Sequence, residues 1–481
     1  MNATQLSLDV SDLLQQLRSI VGKDGVLAGT DLQQRACSYW DPSPLRARAL
    51  VRPRSTEELS QVMKLCHGLN QPVVTHGGLT GVVEGVAASE QEVVISLERM
   101  NAIEEIDTVG RTAIVQAGAV LQVVQETVAE HDLYFPLDLG ARGSCTIGGN
   151  VATNAGGINV IRYGMMRELV LGLEAVLADG TVISSMNRML KNNAGYDLKQ
   201  LFIGSEGTLG IVTRVVLKLK EAPASHNTAM VALESFDAVA QLLKFMERKL
   251  AGHLSAYEVM WREYFQAVTA PGWHRAPMER DYPFYVVMEA NGAEPDADAE
   301  QFMRALEEAV ENGLVVDAVL PKSEAERDAL WAIREDFEAI TEVHPTFLYD
   351  VSLPIVHMDE YIQQVEARLA ARWPQGKCYV LGHIGDGNLH LFVTPNLNPG
   401  HGDTGLHAAA DEDVYQPLMP YGGSVSAEHG IGVEKLGWLG SCRSKEELAL
   451  MRQLKHSLDP MNLLNPGKVF IQGHFQTDTG D

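Results

Sequence analysis

Pro136-Leu-Asp-Leu-Gly140-Ala-Arg-Gly143-Ser-Cys-Thr-Ile-Gly148-Gly149-Asn-Val-Ala-Thr-Asn-Ala-Gly156-Gly157 is the stretch on which the fold turns. Its six glycines alternate with Ser144, Thr146, Asn150, Thr153 and Asn154, so backbone and side-chain donors are presented without bulk. A pyrophosphate and a ribityl chain need such a lining, since consecutive bare N–H groups can ring an anion. The same composition also suits a small-residue loop packed under a sheet. No Gly-x-Gly-x-x-Gly stands between a strand and a helix, which removes the main support for a nicotinamide-binding Rossmann domain.

Two further glycine-rich stretches flank this one. Upstream, Ser55-Thr-Glu-Glu58 reads as a capping box that opens a helix to about His67, with Leu59, Val62, Met63 and Cys66 on one face. Gln71-Pro-Val-Val-Thr75 then runs as a strand into His76-Gly-Gly-Leu-Thr-Gly81. Downstream, residues 169–177 and 181–183 read as a hairpin about Asp179-Gly180. Gly195-Tyr-Asp-Leu-Lys-Gln-Leu-Phe-Ile-Gly204-Ser-Glu206-Gly207-Thr-Leu-Gly210-Ile211 follows, an apolar strand punctuated by glycine. The first 54 or so residues offer a weak amphipathic helix (Leu13, Leu14, Leu17, Ile20, Val21) and irregular chain around Asp41-Pro-Ser-Pro44.

Beyond Pro223 strands alternate with helices: strand 230–233, helix 236–250, strand 284–289, helix 298–311, strand 315–320 and a helix over 325–340. No phosphate-binding turn occurs among them, so this region reads as a covering domain that sets substrate specificity. Arg334, on the last helix, reads from spacing alone as a surface partner of Glu338.

Tyr379-Val-Leu-Gly-His383-Ile-Gly-Asp-Gly-Asn388-Leu-His390-Leu-Phe-Val393 holds a second chemical signal. As a hairpin about Gly385–Asn388 it sets Ile384 opposite Leu389 and His383 opposite His390. Opposed residues have Cβ atoms about 4.5–5.5 Å apart, within reach of one ion held at about 2.0 Å by each imidazole. Ser424-Val-Ser-Ala-Glu428-His429-Gly430 offers a third ligand and a base. Two histidines and one glutamate leave coordination positions open, as a catalytic metal requires. The plainer alternative is hydrogen-bonded strand histidines beside an exposed Glu-His loop.

The chain has 481 residues, 46% of them hydrophobic and 21% charged, which is ordinary for a soluble globular protein of two to four domains' worth of core. Its formal net charge of -25 argues against nucleic acid and anionic membrane surfaces as partners. Neither a targeting segment at the N-terminus nor an apolar run long enough to span a membrane is visible. Cysteines 37, 66, 145, 378 and 442 are odd in number and scattered, as expected of free thiols in a reducing cytoplasm.

Gly-Gly-Leu-Thr-Gly, Gly-Ser-Cys-Thr-Ile-Gly-Gly-Asn-Val-Ala-Thr-Asn-Ala-Gly-Gly, Gly-Tyr-Asp-Leu-Lys-Gln-Leu-Phe-Ile-Gly-Ser-Glu-Gly-Thr-Leu-Gly and Gly-His-Ile-Gly-Asp-Gly-Asn-Leu-His, in this order, resemble the vanillyl-alcohol oxidase flavoprotein superfamily. Within it the chain is most similar to FAD-dependent D-2-hydroxyglutarate and D-lactate dehydrogenases, over about Arg52 to Lys468. The resemblance implies an α+β fold: a two-subdomain FAD-binding domain over 1–222, an α+β substrate domain with an antiparallel sheet over 223–425, and a C-terminal segment, 426–481, that returns to the flavin.

It also implies roles. Thr75, His76, Gly77, Gly78, Leu79, Thr80 and Gly81, with Pro136, Leu137, Gly143, Ser144, Gly148, Gly149, Asn150, Thr153 and Gly157, would hold the pyrophosphate and ribityl chain. Gly207, Gly210 and Ile211 would lie nearer the rest of the dinucleotide, and Asn465 at the isoalloxazine edge. Covalent members carry a histidine where this chain has Leu79, so the FAD is expected to be non-covalent. His383, His390 and Glu428 would hold a divalent metal, expected to be zinc. His429 would be the general base, Arg334 would meet the substrate carboxylate, and Asn388 would shape the loop between the ligands.

Two departures bear on specificity. Members acting on D-2-hydroxyglutarate have a lysine before Tyr-Asp-x-Ser-Leu-Pro and an asparagine two residues after the second metal histidine. Here Leu348 precedes Tyr349-Asp-Val-Ser-Leu-Pro354, and Phe392 follows His390. A charged distal carboxylate would lose several kcal/mol against such residues unless re-paired, so a small or apolar side chain is expected, D-lactate being the simplest case. A relocated cation, Arg262 or Arg275, would instead permit D-2-hydroxyglutarate. The family further implies electron-transfer flavoprotein or a quinone as acceptor, and a homodimer is compatible. Other classes remain in view: a metal-dependent hydrolase using the same His, His, Glu set, and a flavin-binding electron-transfer or interaction subunit without chemistry of its own.

Overall fold

The computed structural model describes residues 10–397 and 405–470; the N-terminal stretch Met1–Asp9, read above for targeting, lies outside them. The chain divides into two compact units. One gathers the residues up to Ala155, Met165–Ala222 and the chain from Glu428 onward; the other consists of Gly156–Gly164 and Pro223–Ala427.

The first unit contains two main sheets. Strands β1 (Val26–Leu27), β2 (Ala49–Val51), β3 (Val73–His76) and β4 (Val93–Ser96) form a sheet of order β1-β2-β4-β3, with β2, β4 and β3 parallel. Every residue of β2 and β4 is buried, which explains their unbroken apolar runs. The helix Thr56–Gly68 covers this sheet's core with Leu59, Val62, Met63 and Cys66, all fully buried. Its cap is half of the expected box: Ser55 Oγ accepts the Glu58 N–H at 3.2 Å, but Glu58 accepts from Arg54 N–H instead of Ser55.

Strands β5 (Ile103–Asp107), β6 (Thr112–Gln116), β8 (Val170–Val176), β9 (Val182–Ser185) and β10 (Ile211–Lys218) form an antiparallel sheet of order β5-β6-β10-β8-β9. Strand β7 (Leu133–Tyr134) pairs with β11 (Lys220–Glu221). β8 and β9 are the Asp179-Gly180 hairpin, with Gly180 at φ +84. The glycine-rich stretch 136–157 contains a short helix, Ile147–Thr153, capped by Thr146, because its small residues still satisfy local helical hydrogen bonding. The third stretch departs from expectation: Lys199–Phe202 is one helical turn, and the strand begins only at Ile211, after positive-φ backbone at Gly204, Glu206 and Gly207.

The second unit is built on one antiparallel sheet. Strands β12 (Ser225–Leu233), β13 (Leu254–Trp261), β14 (Phe284–Gly292), β15 (Asp317–Val319), β16 (Phe347–Ser352), β17 (Lys377–His383) and β18 (Asn388–Thr394) lie in the order β15-β12-β14-β13-β17-β18-β16. The helix Phe236–Leu250 has the expected bounds. The expected single helix over 325–340 is two, Glu324–Glu335 and Glu338–Thr341, because Asp336 takes an extended conformation.

The hairpin register is also corrected. His390 faces Leu381, not His383, and Tyr379 faces Phe392. Residues Ile384–Asp386 form a 3-10 turn closed by Gly387 at φ +86, a longer loop than a tight two-residue turn. The slip is two residues, an even number, so both histidines stay on one face of the sheet. Among the described residues all five cysteines are unpaired, and no helix is long and apolar enough to cross a membrane.

Candidate active site

In the first unit the glycine-rich turns pack on one another. A side chain at Gly78 would stand 2.1 Å from Ser144 O, and one at Gly77 would stand 2.7 Å from Thr146 Oγ1. Glycine is therefore demanded where residues 77–78 meet 144–149. Gly148 and Gly210 turn their bare faces to Ala117 and Phe202, while Gly81 and Gly140 face open space. Pro136, Leu137 and Ile211 are buried. Gly143, Ser144, Leu79 and Thr80 remain at least partly accessible, with Leu79 held at φ +56. Thr153 Oγ donates to Gly149 O at 3.2 Å, and Asn150, 4% exposed, points its amide at Cys145 Sγ. Gly157, at φ +100, belongs to the other unit.

Asn465 reaches this turn from the far end of the chain. Its Oδ1 accepts the Thr75 N–H at 2.9 Å, its Nδ2 donates to Glu206 O at 2.6 Å, and a side chain at Gly207 would strike it. Leu463 and Asn465 continue the β3 edge through Val73, and Lys455 and Asp459, both about 2% exposed, pin this segment to Thr208 and Leu464. Thr75 Oγ1 is buried with no hydrogen-bond partner among the described residues. An unsatisfied hydroxyl beside bare N–H groups and small residues fits a phosphate-bearing dinucleotide.

His76 is not part of that donor set. It is 3% exposed and its Nε2 lies 2.9 Å from Val86 O. Burial lowers its pKa to about 4 against the carbonyl's opposing pull. The unfolded chain takes the proton first, so stability is full above about pH 6.5 and falls as pH drops towards 4, by about 3 kcal/mol at most. Denaturant midpoints from pH 7 to 4.5 should show this slope in the native protein and a flatter one in His76→Gln; identical slopes would refute it.

In the second unit, one sheet face carries the polar cluster. His383 pairs with Glu258 across β13 and β17, and its Nδ1 lies 2.7 Å from Glu258 Oε1. The other Glu258 oxygen accepts from Arg334 Nε at 2.9 Å and Nη2 at 2.7 Å. Glu258 is 1% exposed and Arg334 7%. Burial works to raise the Glu258 carboxyl, but His383 and Arg334 together outweigh it and hold it below the usual range. Arg334 is thus no surface partner of Glu338: the helix ends at Glu335, and the guanidinium turns inward to Glu258. With His383 Nδ1 on Glu258, Nε2 is the nitrogen that would face a metal, as in the usual carboxylate–histidine arrangement, and it lies 3.5 Å from Arg334 Nη2.

His383 and His390 rings stand 5.2 Å apart, nearly perpendicular. Asp350, wholly buried, lies 3.7 Å from His390 Nδ1 and accepts from Asn388 Nδ2 at 2.8 Å. Its second oxygen accepts the Ala427 N–H at 3.0 Å. Glu428 and His429 are the next residues, so the chain itself carries them here. His383 and His390, two of the three residues expected to hold a metal, share this face of the second unit, whereas Glu428 and His429 are counted with the first. Asn388 Oδ1 is buried without a partner among the described residues.

Beyond His390 the same face becomes apolar. Phe392 pairs with Leu348 on one side and Tyr379 on the other, is 3% exposed, and lies 5.2 Å from the Phe337 ring. Glu258 and Asp350 were given no part by sequence reasoning. The available signal was a lone acid inside an apolar strand, wholly buried around Glu258 and buried at its centre around Asp350, which demands a partner.

Residues 47–185 match the family described as "FAD binding domain", and residues 222–469 match "FAD linked oxidases, C-terminal domain". A D-2-hydroxyglutarate dehydrogenase from Xanthomonas citri pv. viticola is 41% identical over 90% of this chain and 90% of its own length. The mitochondrial enzyme of that name from Bos taurus is 42% identical over 88% of this chain and 77% of its own. Among solved structures, p-cresol methylhydroxylase with substrate bound superposes with a TM-score of 0.77 at 15% identity, covering 98% of both chains, a likeness of fold alone. The chain belongs to the FAD-linked oxidases of the vanillyl-alcohol oxidase superfamily and is an FAD-dependent oxidoreductase.

Proposed function

We propose that the chain oxidises a D-2-hydroxy acid with a small or apolar side chain, D-lactate being the simplest, to the 2-oxo acid. A divalent metal, zinc by preference, assists. The observation that carries this reading is the β16–β17–β18 face, where His383 and His390 give way directly to Leu348, Phe392 and Tyr379. The names of the relatives supply the substrate class.

FAD, when bound, supplies the acceptor for the hydride lost from C2. The residues that would hold it in the first unit are 75–81, 136–155, 207–211 and Asn465. His383, His390 and Glu428 would hold the metal, whose chemistry is to lower the pKa of the substrate hydroxyl. His429 takes the hydroxyl proton as general base. Arg334 keeps Nη1 for a substrate carboxylate while Nε and Nη2 bind Glu258, and Asn388 Oδ1 offers an acceptor beside the hairpin. Reoxidation by electron-transfer flavoprotein or a quinone, a homodimer and a cytoplasmic location complete the proposal.

A second reading, oxidation of D-2-hydroxyglutarate itself, is favoured by the relatives' names and would need a relocated cation. Arg275 is exposed, and Arg262 Nε donates to Tyr282 O at 3.3 Å. Anaerobic visible spectra with D-lactate and D-2-hydroxyglutarate decide between them: bleaching should be faster with D-lactate. A strong preference for the dicarboxylate would overturn the side-chain assignment. Colourless protein would overturn the redox reading in favour of hydrolysis. Chelation should abolish turnover and defined ions restore it; activity surviving complete metal removal would remove the metal from the proposal.

A further inference from the structure

Glu206 sits in the third glycine-rich stretch, a non-glycine residue at φ +52 between Ser205 and Gly207. A bulky residue in the left-handed region is strained and persists where its surroundings over-determine it. Here the surroundings are specific. Glu206 Oε1 accepts the Ile431 N–H at 2.8 Å and Oε2 accepts the Gly432 N–H at 2.7 Å. Gly430 has no side chain because one would stand 2.8 Å from the Glu206 carboxyl carbon. The Glu206 backbone carbonyl, meanwhile, accepts from Asn465, whose own oxygen takes the Thr75 N–H. One residue therefore grips the segment just after His429 with its side chain and the cradle's edge with its backbone.

The same segment is gripped on its other side, where Asp350 accepts the Ala427 N–H. Along the chain, Glu428-His429 is strung between two carboxylates that bind main-chain N–H groups at Ala427 and at Ile431 and Gly432. Charge-assisted bonds of this kind are short and stiff, and they fix backbone position where two flanking glycines, Gly430 and Gly432, both at positive φ, would otherwise permit motion.

We propose that Glu206 is a positioning residue for the substrate-oxidation site: it sets the backbone that presents Glu428 and His429, and it ties that setting to the Asn465–Thr75 seat of the flavin. This rests on the assignment of His429 as base. Glutamine at 206 keeps one acceptor but presents an NH2 to the second amide, so the clamp is halved. Aspartate keeps the charge on a shorter arm.

Amide exchange on full-length, FAD-loaded protein reads the clamp directly. In Glu206→Gln the Ile431 and Gly432 amides should exchange about tenfold faster or more, with peptides from β8 and β10 unchanged. Turnover with the D-2-hydroxy acid that best bleaches the flavin should fall by about 10²-fold, mainly in kcat. Glu206→Asp should recover part of both. Unchanged exchange at 431–432, or acceleration spread evenly over the unit, would overturn the proposal. Should the glutamine variant not fold, the aspartate variant decides by the same exchange criterion. If no 2-hydroxy acid bleaches the native protein, the functional reading fails while the exchange result still judges the clamp.

Discussion

Replacing His429 with glutamine is expected to lower kcat by about 10²–10⁴-fold, the range in which a positioned general base contributes. Glutamine approximates the size of imidazole and cannot accept the hydroxyl proton. The preceding Ala427 stays anchored on Asp350 and the following Ile431 and Gly432 on Glu206, so the backbone should hold its course. Bound FAD should be retained, with its absorbance unaltered before substrate is added. Stopped-flow bleaching under saturating substrate measures the effect, and a loss under about threefold would remove His429 from the base role.

Replacing Glu258 should have the largest effect on the protein itself. Its two oxygens separately hold His383 and Arg334, and all three side chains are buried. In Glu258→Gln the guanidinium loses its counter-charge inside the unit, a change that costs about 3–5 kcal/mol for a buried ion pair. Glutamine keeps one acceptor oxygen where His383 and Arg334 use two, so the contact that fixes the His383 tautomer is weakened and metal affinity should fall about 10–100-fold. Denaturant unfolding and metal titration read the two effects independently. The double change Glu258→Met with Arg334→Met should recover much of the stability, because no lone charge remains, but not the metal affinity. Additive losses in that double variant would show that the ion pair does not act as a unit.

The packing of the glycine-rich turns, proposed as the flavin cradle, is legible because its demands are compositional. Close approach of residues 77–78 to 144–149 forces glycine, and glycine is visible in sequence. The hairpin histidines were legible as a pair but not in register, since turn length depends on the 3-10 segment 384–386, which alternation does not report. Glu258 and Asp350 escaped for another reason. Each is one acid in an apolar strand, and its partner arrives from a distant segment: His383 lies 125 positions beyond Glu258. Arg334 was misread on spacing because helical neighbours count only while the helix continues, and this one stops at Glu335. Glu206 stood in a quoted motif, yet nothing local told of amides 225 positions away.

Asn465 closes against Thr75 across 390 positions. At a synthesis rate of about 5–20 residues per second, the β3 edge waits some tens of seconds for the residues that complete it. The proposed nucleotide cradle is thus among the last features a growing polypeptide can finish, and cofactor loading is expected of the nearly complete chain rather than of a nascent N-terminal half.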